Sequence, residues 1–201
     1  ADIYALVGSL LFATPTKESL INLQSLSGDE TEMGRAFDAL SKLAASTDVG
    51  TARGEYDDLF IGMGRGELLP YASFYLTGFL HEKPLAVLRS DLSARRIERA
   101  PNVYEPEDNI ATLMEVMGGL IVGRFSTPST LEDQKTFFNR HIAPWAGHFY
   151  ADLETAITAL RAGVSDFVLK PFRANQIVGA LDRTLDRKFL RRENTLLRRE
   201  L

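Results

Sequence analysis

Apolar residues recur at helical spacing along roughly the first 155 residues, as expected for helices that each bury one face. The first stripe consists of Ile3, Leu6, Val7, Leu10 and Leu11. The other helical patterns cover residues 20–23, 33–44, 54–60, 71–80, 85–95, 107–122, 131–140 and 144 onward. No stretch of this part alternates apolar and polar residues as a half-buried strand does. The pattern predicts an all-α bundle of about eight or nine helices.

Residues that cap or interrupt helices separate these patterns. Thr14 and Pro15 end the first helix, and Thr16 is predicted to be the N-cap of the second. Pro84 occupies a position typical of the first turn of a helix. Two longer connections are expected, at residues 61–69 and 97–105.

The pattern changes after about residue 155. Residues 166–172 form a short apolar run ended by a proline, which is typical of a buried strand. Residues 175–187 are again helical in pattern, and a densely charged end follows. A lone strand would leave its backbone groups unpaired, so residues 167–172 must pair with another strand, exchange between two chains or be helical. We expect them to be helical.

The composition is ordinary for a globular protein, with 45% apolar and 25% charged residues among 201. Lys and Arg number 23 against 27 Asp and Glu, so the chain lacks the basic excess of most nucleic-acid-binding proteins. We therefore expect no nucleic-acid partner. The longest apolar runs fall far short of the roughly 20 residues that span a bilayer, so we expect no stable membrane insertion.

No catalytic or cofactor-binding pattern stands out. The chain has no cysteine, which excludes disulfides, thiolate metal sites and a cysteine nucleophile. The three histidines, His81, His141 and His148, lack the spacing of a zinc-binding helix. The glycines around residue 64 lack the Gly-Lys-Ser/Thr ending of a phosphate-binding loop. We expect a protein that is not an enzyme and that uses no metal or cofactor.

Three motifs follow one another along the chain: EYDDLFIG at residues 55–62, GELLPYASFY at residues 66–75 and EPEDN at residues 105–109. Together they resemble the TorD/DmsD family of molybdoenzyme chaperones, and the likeness covers residues 1–155. The resemblance implies a cytoplasmic, all-helical protein. It also implies binding of the twin-arginine signal peptide and the apo catalytic subunit of a molybdenum-dependent enzyme, such as formate dehydrogenase or dimethyl sulfoxide reductase. Domain-swapped dimers occur in the family, so the resemblance also allows a homodimer.

The acidic motif could serve either a ligand or a helix. A twin-arginine peptide carries two guanidinium groups beside an apolar stretch, so its receptor should offer carboxylates beside an apolar groove. Glu105, Glu107 and Asp108 supply carboxylates on a loop that opens a helix, with Pro106 in its first turn. From the residues alone, stabilisation of the helix N-terminus by about 0.3 to 1 kcal/mol is favoured roughly two to one. The resemblance reverses this preference for Glu105 and Asp108.

The residue after this acidic pair departs from the family pattern. The family commonly has Asp-His at this point, whereas Asn109 follows Asp108 here. Asparagine can still donate a hydrogen bond, but it cannot titrate near neutral pH as histidine does. We place Asn109 in the predicted site together with Glu105, Pro106 and Asp108.

The aromatic helix at residues 71–75 is the second predicted component of the site. Tyr71 and Tyr75 combine an apolar body with a polar tip, which suits a groove for an amphipathic peptide. Ser73 joins them, while Phe74 is assigned to the core. We predict that this helix and the acidic turn converge on one exposed cleft.

Residues 156–201 resemble the last helix, strand and helix of an NtrC-type response-regulator receiver, followed by its linker. The matching sequences are ALRAG at residues 159–163, DFVLKPF at residues 166–172 and FLRREN at residues 189–194. Lys170 matches the lysine that contacts the phosphoryl group in such receivers, but the phosphoacceptor aspartate has no counterpart in this chain. We predict a chaperone domain at 1–155 and a receiver-like fragment at 156–201, from a fusion or a composite sequence. The alternative function is a signalling module that drives dimerisation.

Overall fold

The computed structural model describes residues 1–62 and 67–162. This part of the chain forms nine α-helices: α1 (Asp2–Phe12), α2 (Lys17–Gln24), α3 (Glu32–Ser46), α4 (Val49–Tyr56), α5 (Ala72–Thr77), α6 (Lys83–Ala94), α7 (Ile110–Val122), α8 (Leu131–His141) and α9 (Ala146–Arg161). A π-helical turn, Asp57–Ile61, continues α4. No strand occurs in these two ranges, so the predicted all-α fold is confirmed for them. The predicted receiver-like strand and final helix lie outside the described residues.

Helix α7 is the centre of the main core. Nine of its residues are buried, including Ile110, Leu113 and Leu120. A helix that is apolar on all sides is stable only where neighbouring elements cover it. Here α1 and α8 pack against it. The aromatic residues Phe137 of α8 and Phe149 of α9 are fully buried in the same core.

Helix α1 joins this core to a smaller one. Tyr4, Val7 and Leu11 pack against the α7 core, whereas Leu6 and Leu10 pack against a cluster formed by α2 and α3. The two sets lie on different faces of α1, since the helical repeat is 3.6 residues per turn. The α2–α3 hairpin is thereby fixed to the rest of the bundle.

Several helices begin at a residue whose side chain caps them. Thr16 forms a capping box with Ser19 at the start of α2, which confirms its predicted role. Thr31, Asp48 and Thr130 accept hydrogen bonds from the third backbone N–H of α3, α4 and α8. The hydrogen bonds from Thr51 lower the pKa of Asp48.

Helices α4 and α5 differ from their predicted bounds for local reasons, and α7 differs because of a contact with α5. Helix α4 begins at Val49 rather than at residue 54 because Asp48 caps it. Helix α5 ends at Thr77 because Gly78 turns left-handed with φ 81°. Helix α7 begins at Ile110 rather than at residue 107, and the Asp108 carbonyl accepts from the N–H of Ala72 instead of from α7.

Helix α9 runs without a break across residue 155, the predicted domain boundary. The sequence pattern changes there, but the helix continues to Arg161. Its last turn is tied to α4, where Arg161 Nε donates to Glu55 Oε1 over 3.0 Å. The division into two domains remains a prediction, because most of the second segment lies outside the described residues.

Candidate functional site

The acidic turn at residues 105–109 lies directly against the start of α5. Two backbone hydrogen bonds join them: Ala72 N to Asp108 O over 3.0 Å, and Ile110 N to Pro70 O over 2.8 Å. Tyr71 and Asn109 form an isolated antiparallel bridge. The helix and the turn, distant in sequence, are therefore adjacent in the fold.

Asp108 caps α5 from across this junction. Its Oδ2 accepts a hydrogen bond of 2.8 Å from the backbone N–H of Ser73, the second residue of α5. The N-cap of α5, Tyr71, makes no capping hydrogen bond with its own side chain. Asp108 is 1% exposed and Ser73 is fully buried, so the bond is shielded from water. A carboxylate at this end of a helix also interacts favourably with the helix dipole.

Asn109 caps the other helix. Its Oδ1 accepts from the N–H of Ala111 over 2.9 Å at the start of α7, while its Nδ2 donates to Glu105 Oε1 over 3.0 Å. The Tyr71 hydroxyl donates to the same Glu105 oxygen. Burial and the Glu105 carboxylate raise the pKa of Tyr71 well above its usual value. Glu105 thus receives two hydrogen bonds from the protein itself.

Glu107 is paired with arginines. Arg89 of α6 approaches its Oε2 to 2.8 Å, and Arg99 lies 4.0 Å from Oε1. Burial acts to raise the pKa of Glu107, but the hydrogen bond and charge of Arg89 lower it below its usual value. The carbonyl of Pro106 accepts from the N–H of Asn109 over 3.1 Å, which closes the turn.

Tyr75 faces away from the acidic turn. Its hydroxyl donates to Asp152 Oδ2 of α9 over 3.0 Å, and its ring lies 5.4 Å from that of Trp145 and 6.0 Å from that of Phe149. Burial and the Asp152 carboxylate raise the pKa of Tyr75 above its usual value. This side chain joins α5 to α9.

A cleft of about 370 Å³ opens between α5, α6 and the end of α8; we call it the α5–α6–α8 cleft. Its apolar lining includes Leu76 of α5 with Val87 and Leu88 of α6. Its charged and titratable lining consists of Lys83, Asp108, Arg140 and His141. Of the seven residues predicted for the site, Asp108 is the one that lines this cleft.

One oxygen of Asp108 has no hydrogen-bond partner in the part of the chain that the structure describes. Oδ1 is buried and receives no hydrogen bond from the described residues, and the same holds for the hydroxyl of Ser73. A buried polar atom without a partner costs free energy, and in native proteins such an atom is uncommon. This oxygen therefore lacks a donor that the described residues do not supply.

Sequence reasoning missed the ion cluster on the α8 side of the cleft. Arg140 Nη1 lies 3.1 and 3.0 Å from the two carboxylate oxygens of Asp91, and His141 Nε2 lies 2.7 Å from Asp91 Oδ2. Burial lowers the pKa of His141 below its usual value, although Asp91 acts in the opposite direction. The Trp145 indole N–H donates to the His141 carbonyl over 2.8 Å. Because Asp91 and His141 are 50 positions apart, no local signal could have paired them.

The seven predicted residues fall into three groups. Tyr71, Glu105, Pro106 and Asn109 form the junction, Ser73 and Asp108 form the cap of α5, and Tyr75 faces α9. Their use in binding a ligand remains a prediction. Helix capping, the alternative to ligand binding, matches the hydrogen bonds that Asp108 and Asn109 make. Asp108, however, caps α5 and not the helix that follows it.

The described residues show neither a metal site nor a membrane span. Within residues 1–62 and 67–162, no group of three or more His, Asp and Glu side chains could hold a metal ion. Among the helices of that part, none is long and apolar enough to cross a membrane.

Comparison with known proteins identifies the family. The model of the nitrate reductase delta subunit family matches residues 27–151. The chain is 28% identical to the chaperone protein TorD of Vibrio cholerae, over 74% of this chain and 77% of that protein. It is also 28% identical to the chaperone protein TorD of Aliivibrio fischeri, over 74% of this chain and 79% of that protein. A crystal structure of a putative redox enzyme maturation protein from Archaeoglobus fulgidus aligns with a TM-score of 0.46 and 18% identity, over 70% of this chain and 78% of that one.

These matches confirm the resemblance to TorD chaperones for the first part of the chain. The family match ends at residue 151, so the receiver-like identity of residues 156–201 remains a prediction. The matched region contains α3 to α8, the acidic turn and the α5–α6–α8 cleft. The chain belongs to the nitrate reductase delta subunit family.

Proposed function

We propose that this protein is a cytoplasmic chaperone that binds the twin-arginine signal peptide and the apo catalytic subunit of a molybdenum-dependent redox enzyme. The client would be of the formate dehydrogenase or dimethyl sulfoxide reductase type. Family membership and the relatives named as TorD chaperones support the general role. They also argue against an enzymatic role, so we assign no catalytic residue.

The observation that carries the proposal is Asp108, a carboxylate that lines a partly apolar cleft and whose buried Oδ1 has no hydrogen-bond donor among the described residues. A guanidinium group would supply the missing donor, and charge-assisted hydrogen bonds to carboxylates are stronger than neutral ones. The apolar part of the peptide would lie on Leu76, which is 45% exposed, and Val87.

The other acidic groups of the turn are less suited to contact the peptide. Glu105 already accepts from Tyr71 and Asn109, and Glu107 is paired with Arg89. An incoming arginine would have to displace these donors, so its net gain at either carboxylate would be small. In this proposal Asp108 contacts the peptide, while Tyr71, Ser73, Tyr75, Glu105, Pro106 and Asn109 hold α5 and the turn in place.

Isothermal titration calorimetry with synthetic peptides tests the proposal. The probe is a peptide with two adjacent arginines followed by a leucine- and alanine-rich stretch, compared with the same peptide carrying two glutamines. We expect the arginine peptide to bind, and Asp108→Asn to weaken it by about tenfold or more, the loss expected for a buried charge-assisted bond. Asparagine retains an acceptor for the Ser73 N–H, so this variant should keep the cap.

The control variant is Glu18→Gln, which removes one negative charge from α2, a helix that packs on α3. It should bind the arginine peptide as the wild type does. If neither peptide binds the wild type, the proposed function is wrong. If Asp108→Asn binds the arginine peptide with wild-type affinity, the protein binds such peptides elsewhere.

A further inference from the structure

The α5–α6–α8 cleft has a basic side that a purely cationic peptide does not explain. Lys83, Arg140 and His141 line it together with Asp108. Arg140 and His141 are both engaged with Asp91. Lys83 is exposed, and in the two described ranges no ion pair is found for it.

Lys83 also occupies an unfavourable position for a cation. It is the first residue of α6, where the helix dipole is positive, and Glu82 makes no capping hydrogen bond with its side chain. A lysine at this end adds positive charge to backbone N–H groups that already favour an anion. The mouth of the cleft on the α6 side therefore favours a negatively charged group.

At Asp108 the cleft favours a hydrogen-bond donor and not an anion. Its Oδ1 is a buried acceptor that receives no hydrogen bond from the described residues, and a ligand that brings a donor to this carboxylate would satisfy it. Between the two lie apolar side chains, Leu76 and Val87. A ligand that satisfies all three features carries a donor, an apolar surface and an anion.

We propose that the cleft recognises a peptide segment in which an acidic residue lies close to the arginine. The arginine donates to Asp108 Oδ1, and the carboxylate of the acidic residue pairs with Lys83 at the start of α6. This inference rests on the proposed function and narrows its ligand to a peptide carrying both charges. The α5–α6–α8 cleft has a volume of about 370 Å³, near the lower end of the range for ligand sites. It therefore admits only a few side chains of a peptide, and each of them contributes to selectivity.

Fluorescence anisotropy with labelled peptides tests the inference on the full chain. The probes are the arginine peptide described above and a set of versions with one glutamate placed in turn at each position flanking the arginine pair. Each has a partner with glutamine at the same place. We expect at least one glutamate peptide to bind about two- to fivefold more tightly than its glutamine partner, the range for a partly exposed ion pair.

The variant Lys83→Gln should abolish this preference and leave the affinity for the glutamine peptides nearly unchanged. The matched control Lys42→Gln removes the same charge from the exposed face of α3 and should retain the preference. Unfolding followed by the fluorescence of Trp145, the one tryptophan of the chain, verifies that both variants are folded.

Two results would overturn the inference while the proposed function stands. One is binding of the arginine peptide with no preference for glutamate at any position. The other is a glutamate preference that persists in Lys83→Gln. Failure of every peptide to bind the wild type would instead refute the proposed function, and the inference with it.

Discussion

Asp108 is predicted to stabilise the fold through the cap that its side chain provides to α5. Replacing it with alanine removes the acceptor of the buried Ser73 N–H, a bond of 2.8 Å. A hydrogen bond to a charged group contributes about 1.5 to 3 kcal/mol. The backbone bond from Ala72 N to Asp108 O survives the substitution, since it does not involve the side chain. We therefore expect Asp108→Ala to lower the free energy of unfolding by about 2 to 3 kcal/mol.

The variant Asp108→Asn keeps an acceptor that can cap α5 and removes the negative charge. Its amide oxygen can accept from Ser73, and the substitution removes a buried charge whose Oδ1 receives no hydrogen bond from the described residues. The desolvation cost of a buried charge offsets much of what its hydrogen bond contributes. The asparagine variant should therefore lose about 1 kcal/mol or less, clearly less than the alanine variant.

Urea unfolding followed by the fluorescence of Trp145 measures both effects, because this single tryptophan is 1% exposed in the main core. Equal slopes with urea would show that the variants unfold to the same extent, so that midpoints can be compared. Glu154→Gln, in the middle of α9 and exposed, removes one negative charge away from any helix N-terminus and should unfold with the wild type. If Asp108→Asn and Asp108→Ala lower the free energy of unfolding equally, the capping argument is refuted, because removal of the charge alone would then account for the loss.

Three further predictions use the same urea assay. Ser73→Ala removes a buried hydroxyl without a partner and should be neutral or stabilising by up to about 1 kcal/mol; a larger loss would mean that the hydroxyl has a partner. Gly123→Ala should destabilise by about 1 to 2 kcal/mol or more, since φ is 78° and its Cβ would lie 2.5 Å from a proline nitrogen. Gly54→Ala, in open space within α4, should stabilise by about 0.5 to 1 kcal/mol. A change of the same sign in the free energy of unfolding of both glycine variants would refute the argument. Because burial lowers the pKa of His141, its contribution to stability is present above the unfolded pKa of about 6.5 and is lost as the pH falls. His141→Gln should therefore flatten the loss of stability between about pH 7 and 5, and an unchanged slope would refute the argument.

The helices could be predicted because their signals are local. Apolar spacing places most of them, and Thr16 was correctly identified as a cap because its partner, Ser19, is three residues away. Helix α5 is shorter than its apolar spacing predicts, because Gly78 turns left-handed and ends the helix at Thr77. The start of α7 was missed for a different reason. The start of α7 depends on α5, because the Asp108 carbonyl accepts its hydrogen bond from the first residue of α5 and not from α7.

The junction of the aromatic helix with the acidic turn was predicted from the family resemblance and not from the residues alone. Nothing in the sequence near Asp108 indicates that it caps a helix 35 positions earlier, and its position before α7 suggests local capping instead. The basic side of the cleft was not predicted at all. Lys83 and His141 reach it from different helices, and helical periodicity does not show which faces of two helices meet.

The state of Asp108 explains how one side chain can serve both the fold and a ligand. Its two oxygens have different environments: Oδ2 is fixed by the Ser73 N–H, and Oδ1 is left without a donor. The first bond holds the carboxylate in one orientation before any ligand arrives, so binding does not have to restrict it. The second oxygen makes the unliganded protein less stable than it could be, and a ligand that supplies a donor recovers that free energy. In the proposed function, binding energy and fold stability would thereby be linked through the same carboxylate, and a ligand without a donor at that point would gain nothing from it.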